Sequence, residues 1–342
     1  MDILVGLMLG VIFVSPFVIS YALFIRWIDR FEPEPWWLLI GAFLWGALFA
    51  TVGGGLSSAV GEGVAMAVTG APENAEGIQA FGATVLAPVF EEGFKGLGVA
   101  IIAAISAMGV KELDGPLDGA IYGGMVGLGF TLTEDTLYVA SAYAEKGLAG
   151  FVGLLFLRTV LLGLSHCTFT ACTGLGFGIA VESRSWFVKI MAPLAGYGAA
   201  MTMHAMHNAL PTFFHAEGTV VMILISWLID FLFFVLLACL VVRDRAIVIR
   251  ELLPEVGALL HAQELRLVTT YFALGWKNWM SLFAVGWSHF RRRRKKQLAL
   301  VEIAFIKNRR RRGERGRSLD VKEAKLRWEV ALLNRMGVWI GS

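Results

Sequence analysis

Pro88-Val89-Phe90-Glu91-Glu92-Gly93-Phe94-Lys95 puts two adjacent carboxylates and a lysine inside an apolar segment, uncharged from Gly77 to Phe90 and again from Gly96 to Val110. On a helix Glu91 and Lys95 share a face, and Glu92 lies three positions from the same lysine. Charges at the centre of a bilayer-spanning helix cost at least ~2.5–3.5 kcal/mol each on insertion scales, so they mark a functional site by default. Polar packing between helices is the competing explanation.

The rest of the chain has the composition of a membrane protein. It is 57% hydrophobic over 342 residues, with mean hydropathy +0.67, too apolar for an ordinary soluble domain. The net charge of +3 hides an asymmetry: residues 243–342 hold 22 Lys/Arg against 9 Asp/Glu, and residues 1–242 hold 8 against 18. The expected organisation is a membrane domain over 1–242 and a basic amphipathic helical tail over 243–342. Cys167, Cys172 and Cys239 lie in apolar segments without metal-ligand spacing and read as packing residues. The first apolar run, Ile3 to Ile25, has no basic n-region or cleavage site and is expected to be retained as a span.

Further spans are expected at about 36–60, 80–108, 117–142, 190–214 and 219–242. Residues 147–181 form either one tilted helix or two short ones broken near His166. The fold class is therefore all-α, a polytopic bundle of seven spans, or eight if that stretch breaks. Lys/Arg placement favours seven. Arg26, Arg30, Lys111, Arg184 and Lys189 then share the cytoplasmic side with the tail, and Lys146 lies outside. Glu62, Glu73 and Glu76 suit an external loop. The location is the cell membrane, with the tail lying on anionic lipid; no nucleic-acid fold signature accompanies its charge.

Glu91, Glu92, Lys95, Glu134, His166 and His204 fall near mid-span on four helices, which points to one shared polar cavity. One of the three glutamates should hold a proton while Lys95 keeps another ionised, so an acid and a base are both at hand. That suits a carboxylate-activated water helped by His166. His204 and Asn208, four apart, could donate to an oxyanion. Phe130 and Tyr138 recur at four-residue spacing with Glu134, and Asp118 shares a face with Tyr122; Lys95, Phe130, Tyr138 and Asp118 are the supporting residues. The same groups, Glu91 or Glu92 with Glu134, His166 and His204, could instead ligate a divalent metal such as zinc. No G-x-S-x-G or H-E-x-x-H motif is present. His207 and His215 read as packing residues, Arg158 as snorkelling to the interface, and Asp230 has no evident partner. A proton-coupled carrier would predict inverted repeats, and none is visible between the halves. An inactive scaffold would keep these residues for packing alone.

These motifs resemble the PrsW-type intramembrane peptidases, relatives of the CAAX prenyl endopeptidase superfamily. The likeness covers about residues 20–215. Asp29-Arg30-Phe31-Glu32-Pro33-Glu34-Pro35-Trp36 is similar to that family's hinge, and Glu91-Glu92-Gly93-Phe94-Lys95 to its E-E-x-x-K. Leu117-Asp118-Gly119-Ala120-Ile121-Tyr122-Gly123, Phe130 with Glu134, His166, and His204 with Asn208 match the later motifs. Asp135 stands where relatives often carry asparagine, and the basic tail has no counterpart. The resemblance implies hydrolysis of a peptide bond in a membrane-anchored protein such as an anti-sigma factor. Glu91 or Glu92 with Glu134 would activate water, and His204 with Asn208 would stabilise the oxyanion.

Overall fold

The computed structural model describes residues 2–28, 31–72, 75–110, 112–270, 280, 282–284 and 286–340. Asp29 and Arg30 of the hinge motif, Glu73 of the acidic loop and the loop residue Lys111 lie outside the described residues. Apart from an isolated bridge between Val256 and Leu260, the described secondary structure is helical. Four helices are long and apolar enough to cross a membrane: Asp2–Ile28, Trp36–Thr69, Pro116–Glu182 and Trp186–Glu255. The last two run to 67 and 70 residues, against about 20 for one crossing, and neither is one unbroken helix. Gly147 (φ 62°, ψ −152°) interrupts the first of them and His215 (φ 49°, ψ −122°) the second. Glycine takes such a conformation freely, whereas at His215 it is strained.

The long helices are thus α1 (Asp2–Ile28), α2 (Trp36–Thr69), α3 (76–110), α4 (116–146), α5 (148–182), α6 (186–214) and α7 (216–252). The polar α3 is not among the four apolar candidates. Pairs equidistant from Gly147 show how α4 and α5 meet. The Tyr143 and Phe151 rings lie 6.3 Å apart, Asp135 accepts from Thr159 at 2.8 Å, and Gly119 packs on Gly174. Contacts of this symmetry along both helices make α5 one antiparallel partner of α4, bent at 162–164 rather than reversed. His207 and Ser226, 3.2 Å apart across the His215 turn, pair α6 with α7 in the same way.

Small residues set the spacing of α4 and α5, because bare helix backbones can approach closely. A Cβ at Gly119, Gly123 or Gly127 would stand 2.1, 2.5 or 2.2 Å from the main-chain oxygens of Gly174, Thr170 and His166. The obstacle at Gly127 is backbone, so no rotamer change relieves it. Gly127→Ala is expected to force the helices apart at His166, costing about 1–3 kcal/mol of overpacking. Thermal melting in detergent checks this, and an unchanged melting temperature would refute the close approach.

Three stretches of α2, α3 and α5 widen to π geometry: Trp45–Ala50, Gly82–Leu86 and Leu155–Leu161. The second sits just before Pro88, which has no N–H to continue the ladder. In the first, a freed carbonyl finds an outside partner, Ala47 accepting from Thr133 at 2.7 Å. Such bulges are frequent at functional sites.

The chain divides into two compact units, Met1–Asp29 with Glu34–Ala238, and Arg30–Pro33 with Cys239–Ser342. The second contains α8 (Ala262–Val268), α9 (Trp287–Arg311) and α10 (Arg317–Arg335). It has its own core, in which Leu300, Val301, Ile303 and Ala304 of α9 meet Val268 and Val330. Lys296 is paired with Glu264 inside it. Glu255 accepts from Lys307 and Arg327, each at 2.7 Å, and the bonds of Arg327 to Glu255 and Glu323 hold its guanidinium above the ordinary pKa. The tail is therefore a folded helical unit with internal ion pairs, not only amphipathic segments with solvated charges.

Candidate active site

Four helices bring their charges to one place. From α3 come Glu91, Glu92 and Lys95; from α4, Glu134 and Asp135; from α5, Arg158 and His166; and from α6, His204. The helices are pinned so that these side chains must meet. Trp45 donates to the Phe94 carbonyl at 2.8 Å, tying α2 to α3. Tyr197 donates to the Val89 carbonyl and Asn208 to the Ala83 carbonyl, both at 2.8 Å, tying α6 to α3 on either side of His204. Gly54 of α2 lets Glu91 pack flat against it, since a Cβ there would fall 2.8 Å from Glu91 Cγ.

A continuous chain of bonds follows. Arg158 Nη2 donates to Glu134 Oε2 at 2.5 Å, and its Nε to Asp135 Oδ1 at 3.0 Å. His166 Nε2 meets the same Glu134 oxygen at 2.8 Å, and its Nδ1 lies 3.2 Å from Lys95 Nζ. Lys95 Nζ donates to Glu92 Oε1 at 2.8 Å; His204 Nδ1 meets that oxygen at 3.0 Å, and Thr170 donates to Glu92 Oε2 at 3.1 Å. Lys95 also lies 3.5 Å from the centre of the Phe130 ring, a cation–π contact. Glu92 and Lys95 have no solvent exposure. Charges so deeply buried persist only when fully partnered, and these are.

The bonding pattern assigns the imidazole protons. A carboxylate can only accept, so His166 carries its proton on Nε2 and His204 on Nδ1. His166 Nδ1 then accepts from Lys95. The His204 Nε2 lone pair lies 3.8 Å from Glu91 Oε2, and that glutamate oxygen is buried without a hydrogen-bond partner. With Glu91 ionised, two acceptors face each other, and a water with two O–H groups would serve both.

The donor types also suit a metal. Glu92, His166 and His204 present ligand atoms within 4.8 Å of one another, the carboxylate-and-imidazole set that zinc takes. Lys95 already holds the Glu92 oxygen and His166 Nδ1, so a metal there would exchange one cation for another. Glu91 and Glu134 lie outside this trio.

Several expectations land elsewhere. Arg158 does not snorkel; it clamps Glu134 and Asp135 and stacks 3.9 Å from the Tyr138 ring centre. Asp118 accepts from the backbone N–H groups of Asp114 and Gly115 at 2.9 and 2.7 Å and so caps the start of α4. Tyr122 donates to Glu34 of the hinge. Asn208 donates one of its two amide N–H groups to the Ala83 carbonyl. Asp230 accepts from Thr168 at 2.6 Å. Arg158, Asp135, Thr159 and Thr170 were not among the expected site residues. A lone arginine in an apolar stretch was the available signal for the first, but its partners depend on the turn at Gly147.

Neither a curated protein nor a solved structure matches the chain. The sequence model described as PrsW family intramembrane metalloprotease matches residues 34–241, more than half of the chain and all of the helices that carry the cluster. On that match, with acids and imidazoles gathered among apolar helices, the chain belongs to the PrsW family of intramembrane proteases.

Proposed function

We propose that this protein hydrolyses a peptide bond of a membrane-anchored protein with a water activated by Glu91. The single observation that carries it is the unpartnered Glu91 Oε2, facing His204 Nε2 at 3.8 Å, in a cluster whose other carboxylates are bonded. Glu91 takes one proton from the water as its oxygen attacks the amide carbon, then returns that proton to the leaving nitrogen. His204, held at Nδ1 by Glu92, aligns the water. Lys95 and Arg158 balance the negative charge of Glu92 and Glu134, so the base alone changes protonation during turnover. Asn208 gives one amide N–H to the Ala83 carbonyl and keeps a second N–H that an oxyanion could take. A bound zinc, held by Glu92, His166 and His204, would supply Lewis-acid polarisation of the carbonyl and a more acidic water.

The topology that goes with this is seven spans, α1 to α7, with the N-terminus outside and the tail cytoplasmic in the cell membrane. The antiparallel pairing of α5 along the length of α4 supports counting 148–182 once, and the Lys/Arg distribution supports the orientation. The division of labour is a peptidase domain over 1–242 and a tail over 243–342. An anti-sigma factor or a similar regulator is the substrate class that the family resemblance suggests.

The test uses purified protein in detergent and a membrane-anchored reporter, with and without a strong chelator. Because Lys95 holds Glu92 and His166, cleavage is expected to survive chelation. Loss of cleavage on chelation, restored by added zinc, would instead assign the chemistry to a metal on Glu92, His166 and His204. No cleavage of any anchored reporter by the wild-type protein would remove the proteolytic reading.

A further inference from the structure

Two arginine runs in the tail look alike in sequence, 291–294 and 309–312, yet they are used differently. Arg309 is bound by Glu314 at 2.8 Å, Arg310 by Glu323 at 2.7 Å and Arg311 by Glu251 at 3.0 Å. That run holds the unit together. In the first run only Arg293 turns fully inward, 2% exposed, donating through Nε to the Trp339 carbonyl at 2.8 Å; burial lowers its pKa. Arg291 and Arg292 are exposed and, among the described residues, have no carboxylate or hydrogen-bond partner.

These two arginines rim an open groove on α9 together with Trp287, Phe290 and Leu298. Trp287 is 61% exposed, and its ring stacks 5.4 Å from that of Phe290. No acidic residue occurs from Trp287 to Val301; Lys295, on the same groove, pairs with Glu329 from α10, so the uncompensated charge of this aromatic face is that of Arg291 and Arg292. Unpaired arginines beside an exposed tryptophan suit the headgroup and glycerol levels of a bilayer, where the cation meets phosphate and the indole sits half-dry. The chain's other unit carries the membrane-crossing helices, so the tail is tethered to a bilayer and meets lipid phosphate at high effective concentration.

We propose that this face of α9 docks on anionic phospholipid, Arg291 and Arg292 binding headgroup phosphate while Trp287 and Phe290 seat below it. It stands or falls independently of the proteolytic reading. The test takes the full chain in nanodiscs of phosphatidylcholine alone or mixed with phosphatidylglycerol. Cys167, Cys172 and Cys239 are replaced by alanine, and an environment-sensitive dye is placed on Ser288→Cys. The expected result is a blue shift of the dye that appears with phosphatidylglycerol and fades as salt shortens the Debye length to a few ångströms. Arg291→Gln with Arg292→Gln, which removes no internal bond, should abolish it, while Arg315→Gln with Arg317→Gln should not. The unlabelled native chain gives a second readout: brominated phosphatidylglycerol should quench a fluorescence component that Trp287→Phe removes. Equal emission in both lipid mixtures, indifference to the Arg291/Arg292 change, or a shift produced in neutral discs by an added RNA or DNA duplex would each overturn the proposal.

Discussion

Glu91→Gln is expected to lower reporter cleavage by roughly 10²–10⁴-fold, the usual worth of a positioned general base, without loss of thermal stability. The glutamate makes no bond that amide chemistry would break: its Oε2 is unpartnered, and Lys95 is 3.9 Å away. Its neighbour gives the opposite pattern. Glu92 accepts from Lys95, His204 and Thr170, so Glu92→Gln leaves a buried ammonium without its anion. That change is expected to cost on the order of 3–5 kcal/mol in stability, the range for breaking one side of a buried pair. Both variants are compared by melting in detergent and by initial cleavage rates at equal folded concentration. Full activity in Glu91→Gln would sink the assignment of the base. So would a melting loss in Glu91→Gln as large as that in Glu92→Gln, because Glu91 would then be structural.

Much of this arrangement can be read without coordinates, for a physical reason. Charges embedded in apolar helices must find each other, so Glu91, Glu92, Lys95, Glu134, His166 and His204 announce a common cavity by depth alone. Which carboxylate does what is harder to read. Glu91 and Glu92 stand about 100° apart around the helix, and spacings of three and four both reach Lys95; only the placement of His204 and Thr170 separates them. Helix periodicity likewise marks residues 147–181 as apolar and helical, but the count of one or two helices rests on pairing across Gly147. The tail shows the same limit, since the runs at 291–294 and 309–312 are chemically equivalent until the turn after α9 supplies Glu314, and α10 supplies Glu323, to the second run alone.

Arg158→Met is expected to be among the most damaging single changes in the membrane unit. Its side chain faces two carboxylates at once, Glu134 Oε2 at 2.5 Å and Asp135 Oδ1 at 3.0 Å, and among the described residues no other cation pairs with Asp135. Removing the guanidinium leaves Glu134 with His166 alone and Asp135 with Thr159 alone, so about 3–5 kcal/mol of stability should be lost. A merely interfacial arginine would lose almost nothing, which makes the sign of the result informative. Neutralising the acids should recover what the arginine loss removes. Arg158→Met combined with Asp135→Asn should melt well above Arg158→Met alone, and the double-mutant coupling should be 0.5–3 kcal/mol in size, as for residues in direct contact. Cleavage supplies the second readout: Arg158→Lys, which keeps the charge but not the fork, should restore stability more than rate, since one ammonium cannot hold both carboxylates and steady His166 through Glu134. Additivity of the two changes within a few tenths of a kcal/mol would show that Arg158 and Asp135 do not hold each other, and the clamp on Glu134 would lose its footing.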